Sequence, residues 1–133
     1  MNDFLKWGSA LLGATISFFF GEWSTALIVL IVLTMFDYGT GILSAAINQK
    51  LSSKIGYTGI ARKTFVFVIV SIAHYADVLT GNQNNMFQQS TLFFYIANEM
   101  ISILENAGKM GVPIPSILKK AIQIFQDKGG ENP

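Results

Sequence analysis

The sequence predicts an all-α integral membrane protein: helical hairpins with three or four transmembrane helices, followed by a C-terminal amphipathic helix on the cytoplasmic side. Three observations predict it. Half of the 133 residues are hydrophobic and only 13% are charged, against about 25% in ordinary soluble domains. The apolar residues gather in long runs, and a hydrocarbon core about 30 Å thick needs roughly 20 helical residues to cross it. The basic residues gather in particular connections, as they do in loops retained on the cytoplasmic side of a bilayer. By length the chain is one domain, a single membrane domain over 1–133.

Four apolar segments follow in order. The first, 4–20, is short and is read as a retained membrane segment. Its start carries Lys6 offset by Asp3, and "FFFGEW" lacks the small-x-small pattern of a cleaved signal. Trp7 and Trp23 bracket it, as amphipathic rings do at membrane interfaces. The second segment, 23–47, is the most apolar. The third, 64–79, is dominated by "FVFVIVSIA", and the fourth, 91–107, is apolar on one side only. Between the second and third lies a basic loop, 48–63, with Lys50, Lys54, Arg62 and Lys63 and no acid. The connection 81–90 carries no charge. This asymmetry places the basic loop and the C-terminus inside and the 81–90 connection outside. Whether the first segment spans decides between three and four crossings.

Beyond the fourth segment, Gly108 and Gly111 suit a helix end, and Pro113 and Pro115 enforce an extended link. A helix over 116–126 follows. Ile117, Leu118, Ala121, Ile122, Ile124 and Phe125 share one side of it, and Lys119, Lys120, Gln123, Gln126 and Asp127 the other. It is too polar to span and is expected to lie on the inner face or against a neighbour. The tail 129–133, "GGENP", is expected to be disordered.

Polar residues recur inside the apolar segments at helical spacing. In the second, Thr34, Asp37, Tyr38, Gly41, Ser44, Ala45 and Asn48 fall within about 120° of one face. In the fourth, Thr91, Tyr95, Asn98, Glu99, Ser102, Glu105 and Asn106 do the same. In the third, Lys63, Thr64, Ser71 and His74 lie near one side, with Asp77 a turn beyond. An ionisable group at mid-membrane costs at least about 2.5–3.5 kcal/mol, so Asp37, Asp77 and Glu99 need partners. Two readings stay open. The stripes pair internally, with Lys63, Arg62 or His74 against an acid and small residues at close contacts. Alternatively they meet between copies of the chain and turn toward water as a pore lining.

Several chemistries find no support. There is no cysteine and one histidine, so His74 with Asp77 makes no metal or catalytic set; no enzyme activity and no cofactor are expected. The glycines of "YGTG" lack the pattern of a phosphate cradle. A net charge of +1 implies no nucleic-acid affinity. The basic loop is a topology signal that can also meet anionic lipid headgroups through Lys50, Lys54, Arg62 and Lys63.

Taken together, "FDYGTG" (36–41), "KLSSKIGYTG" (50–59), Arg62-Lys63, Asp77, "IANEMISILENAGKMG" (96–111) and "VPIPSILKKAI" (112–122) resemble the toxin-secretion/phage-lysis holin family. The resemblance covers about residues 34–125. It implies a small multi-pass protein of the bacterial cytoplasmic membrane that gathers into homo-oligomeric lesions. Through these an endolysin, or in some relatives a large toxin, leaves the cell. It implies no catalytic residue. The family's recurrent polar positions fall on Asp37, Gly41, Asp77, Asn98, Glu99, Ser102, Glu105 and Asn106. Two rivals accompany this expectation: a small ion channel or proton-linked transporter using Asp37, His74, Asp77 and Glu99, and a membrane scaffold that forms no pore.

Overall fold

The computed structural model describes residues 2–128, which form five α-helices and no strands. They are α1 (Asn2–Phe20), α2 (Thr25–Ile47), α3 (Ser53–Thr80), α4 (Met86–Lys109) and α5 (Ser116–Lys128). Two are long and apolar enough to cross a membrane: α2, and α3 from Gly56 to Thr80. α1 and α4 do not reach the same combination of length and apolarity. The tail 129–133 lies outside the described residues.

α3 begins at Ser53, well ahead of the expected Thr64, so most of the basic "loop" is helix. Lysine and arginine are good helix formers, and their charge marks a membrane side rather than a break. Two glycines in this extension have a packing reason. The Tyr38 ring lies against them, with its hydroxyl donating to the Gly56 carbonyl at 3.4 Å. A Cβ at Gly56 or Gly59 would sit 3.4–3.5 Å from that side chain.

α4 is the hub. It packs most extensively on α2, then on α3 and α5, while α2 and α3 touch little. The chain numbers fix the directions. Asp37 meets Ser102 and Asn106, and Thr40 meets Asn106, a nearly constant offset, so α2 and α4 run parallel. Lys63 meets Glu99 while Asp77 meets Phe87 and Gln88, so α3 runs antiparallel to α4. From the middle of the bundle toward its 81–85 end, Leu27, Leu30, Val70, Leu92 and Ile96 form an apolar core. Along α2 the same face continues as Thr34, Asp37, Gly41 and Ser44. One helical stripe is thus greasy at one end and polar at the other.

α1 is attached differently. None of its residues is buried, and it touches the bundle through its last turn. There the Tyr75 hydroxyl donates to the Phe18 carbonyl at 2.6 Å, and Gln88 Nε2 donates to the Phe20 carbonyl at 2.7 Å. These bonds satisfy carbonyls that a helix end leaves open. Gly21 then turns the chain with φ +74°, directly beneath the His74 ring. Ser24 caps the next helix by accepting from the Leu27 amide at 3.2 Å. A Cβ at position 21 would stand 2.5 Å from His74 Cε1. Gly21→Ala is therefore expected to cost about 1–2 kcal/mol from the left-handed backbone alone, before His74 moves. Thermal unfolding in detergent measures the loss.

Candidate functional site

The polar stripes of α2 and α4 and the start of α3 converge on one buried ion cluster. Asp37, Lys63 and Glu99 each lie ten residues from a helix end, at Ile47, Ser53 and Lys109. At 1.5 Å per residue all three sit about 15 Å from those ends, in a single layer. Lys63 Nζ lies 2.5 Å from Asp37 Oδ2 and 3.2 Å from Glu99 Oε2. The other Asp37 oxygen, Oδ1, accepts from Ser102 Oγ at 2.7 Å and from Asn106 Nδ2 at 3.0 Å. Asn106 also reaches the Asp37 carbonyl at 3.2 Å and Thr40 Oγ1 at 3.0 Å. Asp37 and Glu99 are each only 7% exposed.

The two carboxylates are held unequally. Asp37 has donors on both oxygens, from α3 and α4. Both Glu99 oxygens are served by the single Lys63 ammonium, at 3.2 and 3.4 Å. The cluster holds two acids and one base. Burial of like charges this close is tolerable only through the shared cation and the neutral donors around it. Glu99 is the member held least firmly.

A second polar layer lies at the far end. Asn85, before α4, has a left-handed backbone and makes no side-chain cap. Asp77 of α3 caps the helix in its place: Oδ1 accepts from the Phe87 amide at 2.9 Å and Oδ2 from the Gln88 amide at 2.8 Å. It is 1% exposed. His74, a turn earlier, packs on Gly21 and Tyr75, and its buried Nδ1 has no hydrogen-bond partner.

The residues singled out in the sequence therefore separate into groups. Asp37, Lys63, Glu99, Ser102 and Asn106 meet in the cluster. Thr34 bonds its own helix at the Leu30 carbonyl, Tyr38 reaches α3, and Gly41 and Ser44 line the α2 face below. Asp77 and His74 belong to the far layer. Asn98 and Glu105 are exposed on the outside of α4. Lys63 is drawn into the bundle, leaving Lys50, Lys54 and Arg62 as the exposed basic rim. Sequence reasoning missed Thr40, Tyr75 and Gln88. Gln88 carried a signal, since it extends the α4 face at helical spacing through Leu92, Tyr95 and Glu99. Among the described residues no group of histidine, aspartate and glutamate could hold a metal ion.

An uncharacterized protein of Halalkalibacterium halodurans is 44% identical, with 99% of each chain covered. A 14.9 kDa Clostridium perfringens protein from the nagH 3' region is 40% identical over 95% of this chain and 96% of its own. A Bacillus phage phi105 protein named "Probable holin" is 32% identical over 83% of this chain and 80% of its own. No solved structure matches. The bacteriophage holin family, whose members permeabilise membranes and are not enzymes, matches residues 14–127. With two helices apolar enough to cross a bilayer, this indicates a membrane location. Its match over most of the chain establishes that the chain belongs to the bacteriophage holin family.

Proposed function

We propose that the chain is a holin that oligomerises in the bacterial cytoplasmic membrane and opens lesions through which an endolysin, or a large toxin, leaves the cell. α2, α3 and α4 span in this reading, and α1 adds a fourth crossing or lies in the interface. The basic rim and α5 stay on the cytoplasmic side. The observation that carries the proposal is the ion cluster, buried between three helices of a chain from a membrane-permeabilising family. Each copy inserts with its polar faces turned inward, because exposing Asp37 or Glu99 to lipid is costly. As copies crowd, α4 parts from its neighbours and the same faces line water between copies. A unit charge moved fully across the membrane feels about 2.3 kcal/mol per 100 mV, so loss of the potential biases that rearrangement.

Co-expression with a murein hydrolase that lacks an export signal tests the reading. A holin gives abrupt lysis, whereas an ion channel or proton-linked transporter gives depolarisation without release of the hydrolase. Glu99→Gln sharpens the test. It leaves Asp37 and Lys63 as a balanced pair and removes the excess acid, so the closed arrangement gains. Lysis is expected to be delayed or lost while the membrane holds the same amount of protein. Unchanged timing at matched abundance would count against a role for the cluster in opening.

A further inference from the structure

We infer that the crevice between the ends of α2 and α4 nearest the basic rim is a binding site for the phosphate headgroup of an anionic phospholipid. The crevice has a volume of about 400 Å³ and is lined by Gly41, Ser44, Asn48, Lys50, Asn106 and Lys109, with Ala45. Its two cations come from different elements: Lys50 follows α2, and Lys109 is the last residue of α4. No acid lines it. Gly41, which has no side chain, and Ala45 leave room on the α2 wall, and Ser44, Asn48 and Asn106 make the lining below the lysines polar.

Depth favours a lipid over a free ion. The site runs from the helix ends to Gly41, six residues inside Ile47 and about 9 Å along the helix. That interval suits a headgroup and its glycerol joint rather than the hydrocarbon interior. A second crevice of about 290 Å³ shares Gly41, Ala45 and Asn106 with the first and is lined further by Asp37, Arg62, Lys63 and Ser102, so the headgroup crevice adjoins the ion cluster. Basic pockets between membrane helices on the cytoplasmic side hold such headgroups in general.

The placement also ties lipid to the ion cluster. Asn106 lines the crevice and donates to Asp37. Asn48 further joins the two helix ends, donating from Nδ2 to the Lys109 carbonyl at 3.5 Å. A bound phosphate bridging Lys50 and Lys109 thus clamps α2 to α4 where the cluster needs them together.

Native mass spectrometry of the full chain released from detergent micelles tests the site. The probes are dioleoylphosphatidylglycerol and, as the zwitterionic control, dioleoylphosphatidylcholine. The wild-type chain is expected to retain phosphatidylglycerol preferentially. Each basic residue near an anionic headgroup strengthens attachment about fivefold, so Lys50→Gln with Lys109→Gln should weaken retention about thirtyfold. Lys119→Gln with Lys120→Gln removes equal charge from α5 and should leave retention unchanged. Three results would overturn the inference: equal retention of both lipids, equal loss in the two double variants, or full displacement by millimolar inorganic phosphate. Lysis assays are separate from this readout, so failure of the lipid site and failure of the holin reading are distinguishable.

Discussion

Lys63→Met is expected to destabilise the folded chain by about 3–5 kcal/mol, the usual consequence of removing one partner from a buried ion pair. Methionine fills the volume of the lysine stem but leaves two carboxylates, each only 7% exposed, facing one another across the gap. Ser102 and Asn106 still hold one Asp37 oxygen, whereas Glu99 loses its cation. Tryptophan-monitored unfolding in detergent measures the loss, and the amount of protein in the membrane fraction should fall with it. Adding Asp37→Asn and Glu99→Gln to Lys63→Met removes both buried charges, and most of the lost stability should return. Lys63→Met with wild-type stability would mean that the cluster does not hold the helices together.

The second large effect is expected at Asp77. Both of its oxygens accept backbone amides at the start of α4, and hydrogen bonds to a charged group contribute about 1.5–3 kcal/mol each. Asp77→Ala should therefore cost about 3–6 kcal/mol, concentrated where α4 begins. Asp77→Asn keeps one acceptor oxygen but turns an N–H₂ toward the other amide, so its loss should be intermediate. Hydrogen exchange locates the effect: the amides of Phe87 and Gln88 should lose protection before those of Ser102 to Asn106. Uniform loss along α4 would contradict the capping role.

Much of this architecture was legible in the sequence, for reasons that differ by element. The helical character of 23–47 follows from a long apolar run, and that of 116–126 from its two-faced wheel. The polar faces of α2 and α4 were legible because a stripe needs only angles, and angles follow from residue spacing. Partnership was not legible in the same way. A wheel gives direction around an axis but no depth along it, so nothing in the spacing set Lys63 level with Asp37 and Glu99. Lys63 stood beside Arg62 and His74 as one of three candidate partners for an acid, and only the fold singles it out. Asp77 was hidden because its partners, Phe87 and Gln88, lie across a turn and are backbone groups without a side-chain signature. The extension of α3 back to Ser53 was obscured by charge, which reports membrane side and says little about helicity.

The central position of α4 has a consequence for biosynthesis. A ribosome delivers α2 and α3 first, and those two already carry a matched aspartate and lysine. Asp37 and Lys63 can therefore enter the insertion machinery as a neutral pair, needing no third helix for their own neutrality. Only when α4 follows does the surplus glutamate arrive. The tension between these two acids and their base is thus absent until α4 arrives.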